Sequence, residues 1–342
     1  MKQSITSVGL ALLATLAPLK ANAASFNQLY AIGDSLLDPG NLFQVTLGTF
    51  PPTPPYAGKF SNGSLWVEYL AEDLELAPAL ATDLSTSPDI SDGIYFAFGG
   101  GGTGIDSIIA PNDLPNTGTL AQANLLASLG LQPTDDALFI YLAGANDLAG
   151  SAATPPQTDI SVPLQNTLNA LQLLIGAGAQ NILVSNLPDL SLTPRFNGLS
   201  GVEAAALSGL VTAYNAELSS IVNGLATAVP TVDFIEFDLN GLLSDAINNP
   251  DQFGFTNVTS PCLGDYTFPF DLDFTVCGNP DSTLFWDDFH PTTRGHEIVA
   301  SAALSQLQAS ASVPEPSLGG GMVALSVIAT GTVLSQRRIP RR

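Results

Sequence analysis

Positive charge is nearly missing from the body of this chain. Between Ala24 and Ser312 only Lys59, Arg195 and Arg294 are basic, against 30 acidic residues, a balance of −27. A body so charged repels phosphate backbones, which excludes nucleic acid as a partner. Histidine is as scarce: His290 and His296 are the only two among 342 residues. With only two cysteines besides, a zinc site is poorly supplied. Asp265, Asp271 and Asp273 could offer carboxylates to calcium, yet no EF-hand spacing surrounds them. The chain also lacks internal repeats and long charged or serine-rich linkers. One domain is expected, and no cofactor.

What is present can build a large core, since 45% of residues are hydrophobic. The two ends read as addresses. Met1-Lys2, an apolar stretch from Ser4 to Leu19 and Ala21-Asn22-Ala23 form a secretory signal peptide over 1–23, so the mature chain begins at Ala24. At the other end Val313-Pro314-Glu315-Pro316-Ser317 precedes a charge-free run, Leu318 to Leu334, closed by Arg337, Arg338, Arg341 and Arg342. Seventeen residues at about 1.5 Å each just reach across a bilayer. This end, 313–342, resembles the PEP-CTERM sorting signal of bacteria with an outer membrane. The resemblance implies a transient anchor at 318–334, cleavage by an exosortase-type enzyme, and an outer-surface or extracellular destination. In an exported chain the pair Cys262 and Cys277 suggests a disulfide, worth roughly 3 kcal/mol for a loop of this length.

Between Phe26 and Leu307 short apolar runs alternate with helical stretches, the pattern of a parallel α/β sheet. Five strands are expected: Leu29–Ile32, Ile94–Phe98, Leu138–Leu142, Ile182–Ser185 and Val232–Phe237. The helices expected are Leu65–Asp73, Thr119–Leu129, Val162–Ile175, Val202–Ala226, Leu239–Ile247 and Thr293–Leu307. Pro51-Pro52-Thr53-Pro54-Pro55 reads as a stiff surface loop. Trp66, Tyr69 and Leu70 can share one buried helix face.

Three strand ends and one late loop carry polar residues suited to chemistry. Gly33-Asp34-Ser35 follows the first strand, on the rim where open α/β sheets bind ligands. Alone it reads equally as a helix cap. Gly99 to Gly104 follows the second strand and formally contains G-x-G-x-x-G. A dinucleotide site is excluded, because Pro111 cuts any helix short and 114–134 contain no acid. Glycines there let backbone N–H groups approach a ligand. Asn146, after Gly144, is either a turn residue or a side-chain donor on the same rim. If Ser35 is a nucleophile, its base is a histidine. His290 lies on a loop before Pro291, whereas His296 falls inside the last helix, where a packed or surface role is expected. Asp287, three residues ahead of His290, is placed to orient its ring, and Asp288 is the second choice.

Together these stretches resemble the GDSL esterase/lipase family, or SGNH hydrolases. The matching residues are Gly33-Asp34-Ser35 with Asp38 and Asn41, the glycine after Ala97-Phe98, Gly144-x-Asn146-Asp147, and Asp287-x-x-His290-Pro291-Thr292. Phe60-Ser61-Asn62-Gly63 through Tyr69 adds a weaker likeness to the lecithinase/haemolysin-like branch. The resemblance implies a flavodoxin-like three-layer α/β/α sandwich over 24–312 with a mostly parallel five-stranded sheet. It implies an ester or lipid substrate, and a catalytic set of Ser35, Asp287 and His290. An oxyanion hole would comprise Ser35, Gly100 and Asn146. Members often carry Asn where this chain has Tyr95, which leaves Gly100 favoured over Gly99. A surface or matrix protein that keeps the fold without activity is the alternative. The intact site set argues against it.

Overall fold

The computed structural model of the chain describes residues 26–110, 112–150, 156, 158–264 and 274–311. The signal-peptide and sorting-signal segments lie outside the described residues, as do Asp265, Asp271 and Asp273. The first apolar run forms strand β1, Gln28–Gly33, followed by a short helix α1, Asn41–Val45, and by α2, Trp66–Asp73. Strands β2, Ala79–Leu80, and β3, Gly93–Tyr95, precede α3, Thr119–Ser128. Next come β4, Ala137–Leu142, α4, Ala145–Ala149, α5, Ser161–Gly176, and β5, Asn181–Ser185. The long α6, Gly201–Ala228, leads to β6, Asp233–Phe237, then α7, Leu239–Asn248, and α8, Pro250–Phe253. A two-stranded antiparallel pair, β7, Leu263–Gly264, and β8, Thr275–Val276, stands before α9, Thr293–Ala311.

The main sheet is parallel with order β2-β3-β1-β4-β5-β6. It has six strands, not the five expected. Ala79–Leu80 is too short to show periodicity and owes its extended form to pairing with Ile94 and Tyr95. Burial follows position in the sheet. Every residue of central β4 is buried, while edge β6 is only partly covered, with Ile235 and Phe237 buried and Asp233 and Glu236 exposed. Helix α6 starts on a reciprocal cap in which Ser200 Oγ accepts from Glu203 N–H and the Glu203 carboxylate accepts from Ser200 N–H.

The chain leaves β1 to one side, toward β3, and returns to the other, toward β4. Strand order therefore reverses between β1 and β4, with helices in the connections between the parallel strands. A crevice opens at the carboxyl ends of strands at such a reversal. Gly33 closes β1 there. A Cβ on Gly33 would stand 2.7 Å from the Leu142 carbonyl, so only glycine lets β1 and β4 approach at this point. Beside the main core a second cluster, Leu42, Tyr56, Phe60, Cys262, Leu263 and Trp286, lies beneath the crevice loops. Cys262 and Cys277 are disulfide-bonded with Cα atoms 4.8 Å apart. Cys262 and Leu263 donate backbone bonds to Phe285 and Trp286, which holds the segment leading to Asp287.

Candidate active site

Ser35 stands two residues past β1, and His290 lies on the loop before α9, 255 positions later. The fold brings them together. Ser35 Oγ is 2.8 Å from His290 Nε2, and His290 Nδ1 is 2.7 Å from Asp287 Oδ2. All three are nearly buried, at 4%, 7% and 5% exposure. Asp287 shapes its own loop: its Oδ1 accepts the backbone N–H of Phe289 and of His290. Asp288 points elsewhere, pairing with Arg195, whose guanidinium also lies 4.2 Å over the Phe289 ring.

Burial would raise the Asp287 carboxyl, but the His290 charge and hydrogen bonds, with Tyr56, outweigh it and hold the group down at about 2. Asp287 is therefore ionised at neutral pH. Tyr56 is the residue the sequence did not single out. Its hydroxyl donates to Asp287 Oδ2 at 2.7 Å across 231 positions. It ends the proline-rich stretch expected to be a surface loop. That expectation holds for Thr53 and Pro54, which are exposed, but Pro51 and Tyr56 are buried. The loop turns inward because Tyr56 packs with Phe60 in the second cluster. Phe60 in turn lies 4.9 Å, centroid to centroid, from the His290 ring.

The glycine block is tied to the Ser35 turn by Asp38. One Asp38 oxygen accepts from Gly40 and Asn41, the other from Leu42 and Gly99. Gly99 thus spends its N–H on Asp38. Among the described residues the N–H groups of Gly100 and Ser35 donate to no acceptor. Gly100 adopts φ +75°, a left-handed conformation that side chains disfavour, and this directs the turn. Asn146, 7% exposed, donates from Nδ2 to the Gly101 carbonyl at 3.0 Å, which places its amide against the same block. Asp147 fixes α4 to the block by accepting from the backbone and hydroxyl of Thr103. Asn41 bridges Tyr95 and Ala97 carbonyls past the end of β3, so its part in the motif is to hold the backbone.

His296 is fully packed, and neither ring nitrogen has a hydrogen-bond partner. Burial, then the charges of His290 and Lys59, push it down to about 3. The unfolded chain takes up a proton near pH 6.5 while the folded one does not. His296 therefore contributes stability above that pH and costs stability as pH falls toward 3. Asp34 works the other way. Burial raises it to about 6, so its neutral form stabilises the fold at low pH and that gain fades between 3.8 and 6. Replacing His296 with phenylalanine is expected to raise stability at pH 4 relative to pH 7, on the order of 3 kcal/mol. Denaturant midpoints at the two pH values check this; parallel profiles for variant and parent would contradict it.

Among the described residues no group of three or more His, Cys, Asp or Glu side chains could hold a metal. No described helix is long and apolar enough to cross a membrane.

A family profile described as GDSL-like Lipase/Acylhydrolase matches residues 29–303. Thermolabile hemolysin of Vibrio parahaemolyticus is 26% identical over 287 residues, covering 81% of this chain and 63% of that protein. The chain thus spans under two thirds of the hemolysin's length. A GDSL esterase/lipase of Arabidopsis thaliana is 25% identical over 315 residues, covering 81% of this chain and 86% of the relative. The crystal structure of an acetyl xylan esterase is similar over 81% of this chain and 98% of its own, at 16% identity and TM-score 0.39, too weak to carry an argument. With the profile spanning most of its length, the chain belongs to the GDSL-like lipase/acylhydrolase family.

Proposed function

We propose that the protein is an exported serine esterase or lipase acting through an acyl-enzyme, with Ser35 as nucleophile, His290 as base and Asp287 as orienting acid. The observation that carries it is the unbroken hydrogen-bond chain from Ser35 Oγ through His290 to Asp287. A serine hydroxyl is nearly inert until a neighbouring base takes its proton. His290 Nε2 takes it as Oγ bonds to the ester carbonyl carbon. Asp287, ionised and bonded to Nδ1, stabilises the imidazolium. The carbonyl oxygen becomes an oxyanion facing the Ser35 and Gly100 N–H groups and the Asn146 amide. Collapse breaks the C–O bond to the alcohol, which leaves with the proton from Nε2. Water, deprotonated by the same nitrogen, then releases the acid and restores Ser35.

Covalent labelling tests this reading. An organophosphonate should add one mass increment, localised by peptide mapping to Ser35, and the Ser35→Ala variant should take up none. Label on another serine would reject the assignment. The oxyanion donors give a graded test. Losing one such donor typically costs about 10²–10³ in turnover. Asn146→Ala, whose side chain also bonds Gly101, should fold and yet hydrolyse a short p-nitrophenyl ester at least about tenfold more slowly. Unchanged kcat would remove Asn146 from the site.

Export rests on the readings of the two ends. Removal of 1–23, transient anchoring through 318–334 and cutting near Pro314-Glu315-Pro316 by an exosortase-type enzyme predict a mature chain starting at Ala24. Intact-mass measurement on protein from the native host checks both ends, and a retained leader would count against export. The family's description as lipase and acylhydrolase puts a lipid ester among the candidate substrates for this chain.

A further inference from the structure

Ala143 and Gly144 form the turn that aims α4, and a buried tyrosine holds it. The paired residues of β4 end at Leu142 opposite Gly33 and at Tyr141 opposite Val184, so the Ala143 carbonyl lies past the ladder. Tyr214 Oη, from the middle of α6, donates to that carbonyl at 3.0 Å. Gly144 takes φ +115°, and a Cβ there would stand 2.6 Å from Tyr214 Oη. The tyrosine thus fills the place of a side chain at 144, which accounts for the glycine that opens Gly144-x-Asn146-Asp147. Asn146 follows two residues later.

Tyr214 does not stand alone. Its hydroxyl lies 3.3 Å from Thr167 Oγ1, which accepts from Tyr141 Oη at 3.2 Å, and Tyr141 Oη lies 3.1 Å from Thr119 Oγ1. These residues come from α6, α5, β4 and the first position of α3, and all four are buried. A hydroxyl has one proton to give. With Tyr214 donating to Ala143, Thr167 must donate to Tyr214 as Tyr141 does to Thr167. The protons therefore point toward the carbonyl, and such a one-way chain strengthens its members. Burial pushes Tyr141 up to about 12 and Tyr214 well above the ordinary tyrosine range, so both remain neutral donors. At the far end Thr119 Oγ1 is 3.3 Å from the Thr103 carbonyl, in the glycine block. Thr103 in turn holds Asp147 of α4 through its N–H and its hydroxyl. The glycine block and α4 are thus tied to one set of hydroxyls.

We propose that Tyr214 is a positioning residue for the oxyanion hole: it pins Ala143-Gly144 and so sets where the Asn146 amide stands, with Thr167 and Tyr141 holding its hydroxyl in line. The inference rests on Asn146 being an oxyanion donor for hydrolysis at Ser35. One hydrogen of that amide reaches Gly101, and the other is the one an oxyanion would take. A donor acts fully only at about 2.7–3.1 Å from the oxyanion. Misplacing a group in a site by about 1 Å can cost on the order of 10² in rate. A slack turn at Gly144 would move Asn146 by part of that distance. The loss would fall on kcat, because the donor acts on charge that develops in the transition state.

The test follows p-nitrophenyl acetate hydrolysis by the parent chain and by Tyr214→Phe, each with and without Asn146→Ala. Phenylalanine keeps the ring and removes only the hydroxyl. Tyr214→Phe is expected to lower kcat about five- to twentyfold, with KM within about twofold of the parent. In the Asn146→Ala background the same substitution should cost less than about twofold, since no amide is left to place. A purely structural tyrosine would lower both backgrounds alike. Thr167→Val removes the supporting hydroxyl, and Thr167→Ser keeps it. The valine variant should be about two- to fivefold slower than the serine one, again only where Asn146 is present. That pair decides the matter if Tyr214→Phe does not fold, and equal turnover of the two would then overturn the inference. Where Tyr214→Phe folds, parent turnover overturns it, as does a loss carried in full into the Asn146→Ala background. Failure of the underlying reading looks different. Asn146→Ala would itself run at the parent kcat, and the inference would fall with it.

Discussion

Ser35→Ala is expected to lower kcat for a short ester by about 10⁴–10⁶, with KM little changed, and His290→Ala should match it within an order of magnitude. The two side chains act as one unit. Without the imidazole, the hydroxyl keeps its proton. Without the hydroxyl, the imidazole has no nucleophile to activate. The double variant should therefore be scarcely slower than either single one. Residual hydrolysis, about 10³–10⁴ above water, would come from the oxyanion donors and substrate binding. Additive losses, with the double variant slower by the product of the two, would show that the residues do not act together. Neither substitution should damage the fold, because both groups stand past the end of β1 or on the loop before α9, outside the strands of the sheet.

The second large effect is at Asp287, and its cause is tautomeric. An Asp287→Asn side chain can keep its oxygen toward the N–H groups of Phe289 and His290, where Oδ1 now sits. Its amide nitrogen would then replace Oδ2 and present a donor to His290 Nδ1. That favours the proton on Nε2, and the ring loses the lone pair that must take the serine proton. A fall in kcat of about 10⁴ is expected. Tyr56→Phe gives the graded companion. It removes one of the two donors to Oδ2 and leaves the tautomer correct, so kcat should drop only about two- to tenfold with KM unchanged. Steady-state kinetics at pH 8 check both. An Asn variant within tenfold of the parent would refute the orienting role, and an unchanged Tyr56→Phe would leave that hydroxyl a purely structural contact.

The residues of the candidate site could be picked out along the chain because the signals that mark them are short-range. Ser35 follows a four-residue apolar run, and Asp287 and His290 are three residues apart, so local order exposes them. The scarcity of histidine did the rest, since only two bases were on offer. Strands β1, β4, β5 and β6 are continuous apolar or alternating runs, and their positions followed from that alone. The pairing of Cys262 with Cys277 also followed, as the chain has no other cysteine.

Other features depend on contacts between residues far apart, which no local pattern encodes. Strand β2 is two residues long and exists because β3 offers an edge. The turn from Gly99 to Gly101 could be aligned two ways from its glycines. Asp38, 61 positions earlier, occupies the Gly99 N–H, a contact no local pattern shows. Tyr56 looked like the end of a proline loop until the fold carried it to Asp287. Trp66 read as a core residue and His296 as packed or at the surface, and only the tertiary structure shows that their nitrogens face no protein partner. Residue identity and spacing determined which groups could react and which runs would be strands. The tertiary structure decided which backbone N–H groups stay free and which side chains steady the acid. These are properties of desolvated atoms, and an atom's loss of water depends on every segment packed around it.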